Sequence, residues 1–375
     1  MIPRIIEHSI QNDLFKGRAI VITGPRQVGK TTLLEQLKAT NQVKTLWLNC
    51  DEPDVRLLLE DASSTNLKAL IDDYKLVFID EAQRVKNIGL TLKLLVDNFK
   101  NVQVIATGSS ALELANQINE PLTGRKWEYQ LYPISTVELV QQSSLLEENR
   151  VLEQRLIYGY YPDIINNPSQ ATAALMELSN NYLYKDLLSL EAIRKPALLE
   201  KIVTALALQI GNEVSFSELA QLIGADRKTI EHYVQLLEKS YIIFQLGAFS
   251  RNIRNEIKKS RKIYFYDNGI RNAIIKNFNP LGLRQDIGAL WENYLISERR
   301  KHLAYSKHFV NSYFWRTHAQ QEIDYIEESG GIITASEFKW NEKSTKIFPE
   351  AFKKAYPQAN FNVINKNNYM NFVAL

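Results

Sequence analysis

The 375-residue chain has a single cysteine, Cys50, so it can build neither a disulfide framework nor a cysteine metal cluster within itself. Cys50 ends an apolar run and reads as a small core residue. Long hydrophobic runs are missing as well: no stretch approaches the roughly 18 residues of a membrane span. The N-terminus, Met1-Ile2-Pro3-Arg4-Ile5-Ile6-Glu7, lacks the charged-then-apolar order of a secretory signal. These absences lead to the expectation of a cytoplasmic, reducing location and no membrane partner. Charge of one sign is also lacking. Lys and Arg number 45 against 42 Asp and Glu, and the resulting +3 is too small to argue for a nucleic-acid partner except locally. There is no internal repeat and no low-complexity segment. What remains is an ordinary globular composition, long enough for two or three domains.

What is present begins with Gly24-Pro25-Arg26-Gln27-Val28-Gly29-Lys30-Thr31-Thr32. The spacing G-x-x-x-x-G-K-T is that of a phosphate-binding P-loop. Residues 18–23 before it are apolar and β-branched, as in a buried parallel strand, and residues 32–38 after it have helical spacing. Glycines let the backbone curl its N–H groups around an anion, and the helix N-terminus adds partial positive charge. In this pattern Lys30 reaches the terminal phosphates and Thr31 holds Mg²⁺, so ATP and Mg²⁺ are the expected cofactors.

A second strand is expected at 44–50 and a third at 75–80, where Leu76-Val77-Phe78-Ile79 runs into Asp80-Glu81-Ala82-Gln83. Such a strand delivers two carboxylates to the carboxyl edge of an open sheet, Asp80 for the Mg²⁺ shell and Glu81 to orient or deprotonate water. A further strand at 102–107 ends in Gly108-Ser109-Ser110. Thr107, Ser109 and Ser110 are candidates to sense the terminal phosphate, and spacing does not choose among them; a hydroxyl turn capping the next helix is equally physical. Arg125, in Thr123-Gly124-Arg125, is a candidate to neutralise transition-state charge, in cis or from a neighbouring subunit, and Arg26 a weaker one.

These runs, with Leu131-Tyr132-Pro133-Ile134-Ser135, resemble the AAA-type ATPases of the AAA_14 group, which usually carry a C-terminal DUF4143 domain. The resemblance covers almost the whole chain and implies ATP binding, while saying little about biological role.

In the middle, 198–210, 217–223 and 227–239 read as helices, the second ended by Gly224 and the third capped by Asp226. Strands at 241–246 and 262–266 complete the pattern of a winged helix. Between them, 251–262 holds six basic residues and one acidic. Arg227, Lys228 and Thr229 could reach a nucleic-acid groove while Arg251, Arg254, Lys258, Lys259 and Arg261 follow phosphates, which makes DNA the expected partner. Many winged helices bind proteins instead.

In the last third, 288–298 reads as a helix bearing Glu292, and strands at 313–316, 322–326 and 334–340 carry Asp324, Glu337 and Lys339. Glu337 and Lys339, two apart, point to one face. Carboxylates with a lysine suit metal-assisted phosphodiester cleavage, with Glu292, Asp324 and Glu337 as Mg²⁺ ligands and Lys339 steadying charge. The spacing resembles the PD-(D/E)xK nuclease superfamily, of which DUF4143 looks like a relative; a salt-bridge network in an inert fold is the alternative.

The resulting expectation is an α/β protein in four parts: a P-loop AAA-type ATPase domain at 1–140, a helical linker or lid at 141–195, a winged helix at 196–270 and a nuclease-like α/β domain at 271–375. Two functions follow. One is a DNA-engaging Mg²⁺-ATPase, a homo-oligomer if Arg125 acts between subunits. The other is a nucleotide-gated switch that holds a protein partner.

Overall fold

In a computed structural model, residues 2–109, 118, 121–180, 195–250, 261–317, 319–342 and 348–374 are described. The chain forms two compact units, Met1–Ile134 with Lys239–Tyr241, and Ser135–Glu238 with Ile242–Leu375.

The first unit is built on a five-stranded parallel sheet, β1 (Ala19–Thr23), β2 (Thr45–Asn49), β3 (Leu76–Asp80), β4 (Gln103–Gly108) and β5 (Lys126–Gln130). The spatial order is β2-β3-β4-β1-β5. The three central strands are covered on both faces, which is why they read as unbroken apolar runs. Ile20, Val21, Ile22, Phe78 and Ile79 are fully buried, each contributing about 1.5–3 kcal/mol of transfer free energy. Cys50 belongs to this core, and burial pushes its thiol up to about 12, as expected of an inert packing residue.

Order and direction put the P-loop at the carboxyl edge. The helix Lys30–Thr40 starts directly behind Gly29, which takes φ +93°. At Gly24 the chain leaving β5 passes so close that a Cβ would run into the Leu131 carbonyl oxygen. Only glycine fits there.

The second unit holds helices followed by a six-stranded mixed sheet. Its strands are β6 (Ile243–Ala248), β7 (Arg261–Phe265), β8 (Asn311–Arg316), β9 (Glu322–Ser329), β10 (Ile332–Phe338) and β11 (Asn360–Ile364), in the order β11-β10-β9-β8-β6-β7. The helices Pro196–Leu208, Phe216–Ile223 and Arg227–Lys239 lie where the sequence places them, and Gly224 ends the second at φ +75°. The two strands expected to form a separate wing do pair antiparallel, but β6 also pairs with β8 in parallel. The boundary expected at 270 therefore falls inside one sheet. The 19-residue helix Ile287–Tyr305 adds a second tie, since Asn293 accepts from the Phe265 N–H at 2.7 Å and donates to its carbonyl at 3.1 Å.

Gly24→Ala should lower the stability of the first unit by about 1–3 kcal/mol, the usual cost of overpacking a fixed site. Gly282→Ala, where a Cβ meets nothing within 4 Å, is the control. Urea unfolding of both variants beside the wild type checks this; equal midpoints would contradict the close approach.

Candidate nucleotide site

The carboxyl edge of the first sheet gathers the P-loop, the end of β3 and the tip of β4. Lys30, 5% exposed, lies over the loop and donates to the Gly24 and Pro25 carbonyls at 3.0 and 2.8 Å. Thr31 Oγ1 donates to Asp80 Oδ2 at 2.9 Å. Thr107 Oγ1 donates to the other oxygen, Oδ1, and accepts from the Glu81 N–H at 3.0 Å. A buried carboxylate is thus satisfied by one hydroxyl from the P-loop helix and one from β4. Thr31 and Asp80 place two oxygen donors side by side, the hard donor set that Mg²⁺ takes. Gln27 is exposed and Val28 buried.

Glu81 follows in the left-handed region, φ 54°, an uncommon place for a residue with a Cβ. Its backbone is fixed by Thr107 and its side chain by Gln83, whose Nε2 donates to Glu81 Oε2 at 2.6 Å and to Ser109 Oγ at 3.0 Å. Thr107 and Ser109 therefore both join the site, in different roles; Ser110 lies outside the described residues.

Two further residues belong here that the sequence reading did not single out. Arg4, 6% exposed, braces the loop from behind, donating to the Val28 carbonyl at 2.7 Å and to the Tyr132 carbonyl at 2.6 Å. Nothing in the sequence near Arg4 signals this, because its partners are far along the chain. Gln83 had a signal, its place two residues after Glu81.

Arg125 corrects an expectation. Its carbonyl accepts from the Ala19 N–H at 2.9 Å, at the amino end of β1. A five-residue strand, about 16 Å at 3.3 Å per residue, separates that end from the P-loop. Its guanidinium is bonded to Asp97 at 2.8 Å. Arg125 does not reach the phosphate site of its own chain, so the action in cis is excluded by strand direction.

In the second unit, Arg227 pairs with Glu231 at 2.8 Å on the exposed first turn of its helix, and Lys228 is exposed beside it. The Thr229 hydroxyl and N–H are both taken by Asp226, which caps the helix. Arg251, Arg254, Lys258 and Lys259 lie outside the described residues. Arg261 is not on a loop: it opens β7, bonds Gln245 at 3.0 Å and stacks over Phe216.

Lys262, counted with the basic run, is 1% exposed and sits among carboxylates. It bonds Glu292 Oε1 at 3.0 Å and also pairs with Glu322. Tyr264, two residues on and so on the same face of β7, donates to the same Glu292 oxygen at 2.5 Å. Burial, offset in part by Lys262 and increased by Asp324, raises Glu292 to about 7. Burial alone would lower Lys262, but Glu292, Glu322 and Asp324 hold its ammonium above the ordinary value. Asp324 accepts the Phe338 N–H at 2.8 Å, and Lys339 pairs with the fully buried Glu337 at 3.2 Å. Among the described residues no three carboxylate, histidine or cysteine side chains are arranged to hold a metal ion. The expected Glu292–Asp324–Glu337 metal set is therefore replaced by two ion-paired groups, because an ammonium from β7 already supplies the positive charge. The sequence hid this by setting Lys262 at the end of a charge run.

Lys262→Met should cost about 3–5 kcal/mol by leaving buried carboxylates without a cation, and Glu292→Gln in the same chain should recover part of it, read by urea unfolding. Glu292→Gln alone makes a pH test. Below about pH 4.5 both folded and unfolded chains hold the Glu292 proton; between 4.5 and about 7 only the folded chain does, so rising pH weakens folding through this group. The glutamine variant lacks that loss. Its melting temperature minus that of the wild type should rise from pH 5 to pH 8, and a flat difference would contradict the raised value.

Comparison with known proteins agrees with the first unit. Residues 16–140 match a family model described as an AAA domain, and residues 149–281 and 287–372 match two domains of unknown function, DUF8612 and DUF4143. An uncharacterized protein of Mycobacterium tuberculosis is 28% identical over 330 residues, 86% of this chain and 70% of the relative. One of Haemophilus influenzae is 24% identical over 276 residues, 68% of each. One of Methanocaldococcus jannaschii is 25% identical over 310 residues, 72% of this chain and 64% of the relative. A crystal structure of Cdc6p from Pyrobaculum aerophilum aligns at 15% identity and a TM-score of 0.30 over 74% of this chain and 95% of that one, a likeness too slight to carry weight. The chain thus carries an AAA-type, ATPase-like domain at 16–140 and a DUF4143 domain at 287–372.

Proposed function

We propose that the chain is a Mg²⁺-dependent ATPase whose working site is the carboxyl edge of the first sheet. The observation that carries this reading is the Thr31–Asp80–Thr107 chain of hydrogen bonds, which sets Glu81 beside the P-loop. The loop from Gly24 to Thr32, apart from Pro25, would wrap the phosphates with backbone N–H groups, and Lys30 would exchange its carbonyl partners for phosphate oxygens. Thr31 and Asp80 would hold Mg²⁺, which supplies charge neutralisation on the phosphates. Glu81 Oε2 is taken by Gln83, leaving Oε1 to accept a proton from water. The water oxygen bonds the γ-phosphorus, the bond to the β–γ bridging oxygen breaks, and its electron pair leaves with ADP.

For the second unit, DNA contact through the helix Arg227–Lys239 is a second reading, favoured by the exposed Arg227 and Lys228. A protein partner on the same helix is the competing one. Cleavage by the Glu292 group is disfavoured, since an incoming metal ion has to displace Lys262.

Lys30→Ala should abolish ATP hydrolysis and weaken nucleotide binding at least tenfold. Glu81→Gln should lower kcat by about 10²–10⁴, the span of general-base catalysis, and keep binding. Phosphate release with Mg²⁺, with and without DNA, reads all three chains. No hydrolysis by the wild type, or equal rates for wild type and Lys30→Ala, would overturn the ATPase reading. Stimulation by DNA that is reduced in Lys228→Ala would favour DNA over a protein partner.

A further inference from the structure

Gln83 is the residue of the Asp80-Glu81-Ala82-Gln83 turn that the mechanism leaves without a purpose of its own. It sits in the single helical turn Ala82–Arg84 and is 7% exposed. A carboxylate can only accept, so the side facing Glu81 must be the amide NH₂, as found at 2.6 Å. That orientation leaves Gln83 Oε1 buried without a hydrogen-bond partner among the described residues. A buried acceptor with no donor is costly. What the amide adds over an apolar side chain of its size is two donations, one to Glu81 and one to Ser109.

Two effects follow from the NH₂. The first donation holds one oxygen of the Glu81 carboxylate in place. The second donation, to Ser109, ties that carboxylate to the tip of β4, the strand between β3 and the P-loop strand β1. Thr107, two residues earlier on β4, already holds the Glu81 backbone. The same strand tip therefore fixes Glu81 twice, once through the main chain and once through the side chain.

We propose that Gln83 is a positioning residue for hydrolysis, aiming the Glu81 carboxylate by bridging it to Ser109 at the tip of β4. This rests on the ATPase reading above. It acts through Glu81, so its removal should matter only while Glu81 is a carboxylate.

The test is a double-mutant cycle on the full chain, with single-turnover ATP hydrolysis and titration of a fluorescent ATP analogue. Gln83→Leu should lower the rate by about 10–100-fold, as misaiming a reacting group does, with affinity for the analogue changed less than about threefold. In the Glu81→Gln background the same substitution should cost less than about threefold, because coupled residues are not additive. Ser109→Ala should act in the same direction and less strongly. Gln83→Glu, of the same shape, keeps the test open if Gln83→Leu fails to fold. A carboxylate there cannot donate to Glu81, so the rate should fall as in Gln83→Leu, and the loss should again shrink in the Glu81→Gln background. Equal losses in both backgrounds would reduce Gln83 to a packing residue. A wild-type rate in Gln83→Leu would overturn the proposal and leave the ATPase reading intact, whereas a wild type that hydrolyses no ATP ends both.

Discussion

The Asp80 carboxylate is the constraint on which the first unit turns. It is 5% exposed and sits at the end of a strand with no room to move. A buried carboxylate must be hydrogen-bonded on both oxygens or lose its charge. Thr31 meets one oxygen and Thr107 the other. Those partners come from the helix after β1 and from β4, so the bond network works only with β4 lodged between β3 and β1, the observed order. The same Thr107 hydroxyl then holds Glu81 in its left-handed turn. The strand order and the carboxylate pair are thereby one arrangement.

Much of that was legible. Strands buried on both faces announce themselves as unbroken apolar runs, and glycines, a lysine and a threonine at P-loop spacing suit little besides a phosphate. What the chain's linear order hides is direction and depth. Arg125 stands beside a strand, and a strand has two ends; only the parallel pairing of β5 with β1 reveals that Arg125 is at the end away from the phosphates. Thr107 and Ser109 were indistinguishable as candidates, yet Thr107 on β4 holds the Glu81 main chain and Ser109, just past the end of β4, accepts from Gln83. Arg4 was beyond reach, because a contact with Tyr132 leaves no local trace.

The second unit was divided too finely for a related reason. Two strands after a helical pair fit a wing, and nothing local distinguishes a free hairpin from the edge of a larger sheet. The parallel pairing of β6 with β8 spans the 19-residue helix between them in sequence, a crossover that parallel strands require. Asn293 on that helix satisfies both main-chain groups of Phe265, so the hairpin and the helix share their hydrogen bonds and fold as parts of one body.

The carboxylates expected as metal ligands differ in what surrounds them, hydroxyls at Asp80 and ammonium groups at Glu292 and Glu337. Hydroxyls satisfy the oxygens of Asp80 without bringing a charge of their own. Glu292 and Glu322 have an ammonium from Lys262 already against them, at 1% exposure, and Glu337 has Lys339. A metal ion entering the Glu292 group would have to expel a buried, hydrogen-bonded cation, whereas one entering beside Asp80 only shifts a hydroxyl from donating to Asp80 toward lending its lone pair. The C-terminal carboxylates whose spacing resembles a cleaving enzyme are thus already paired with cations, whereas the edge on which the proposed hydrolysis rests holds its carboxylate with hydroxyls.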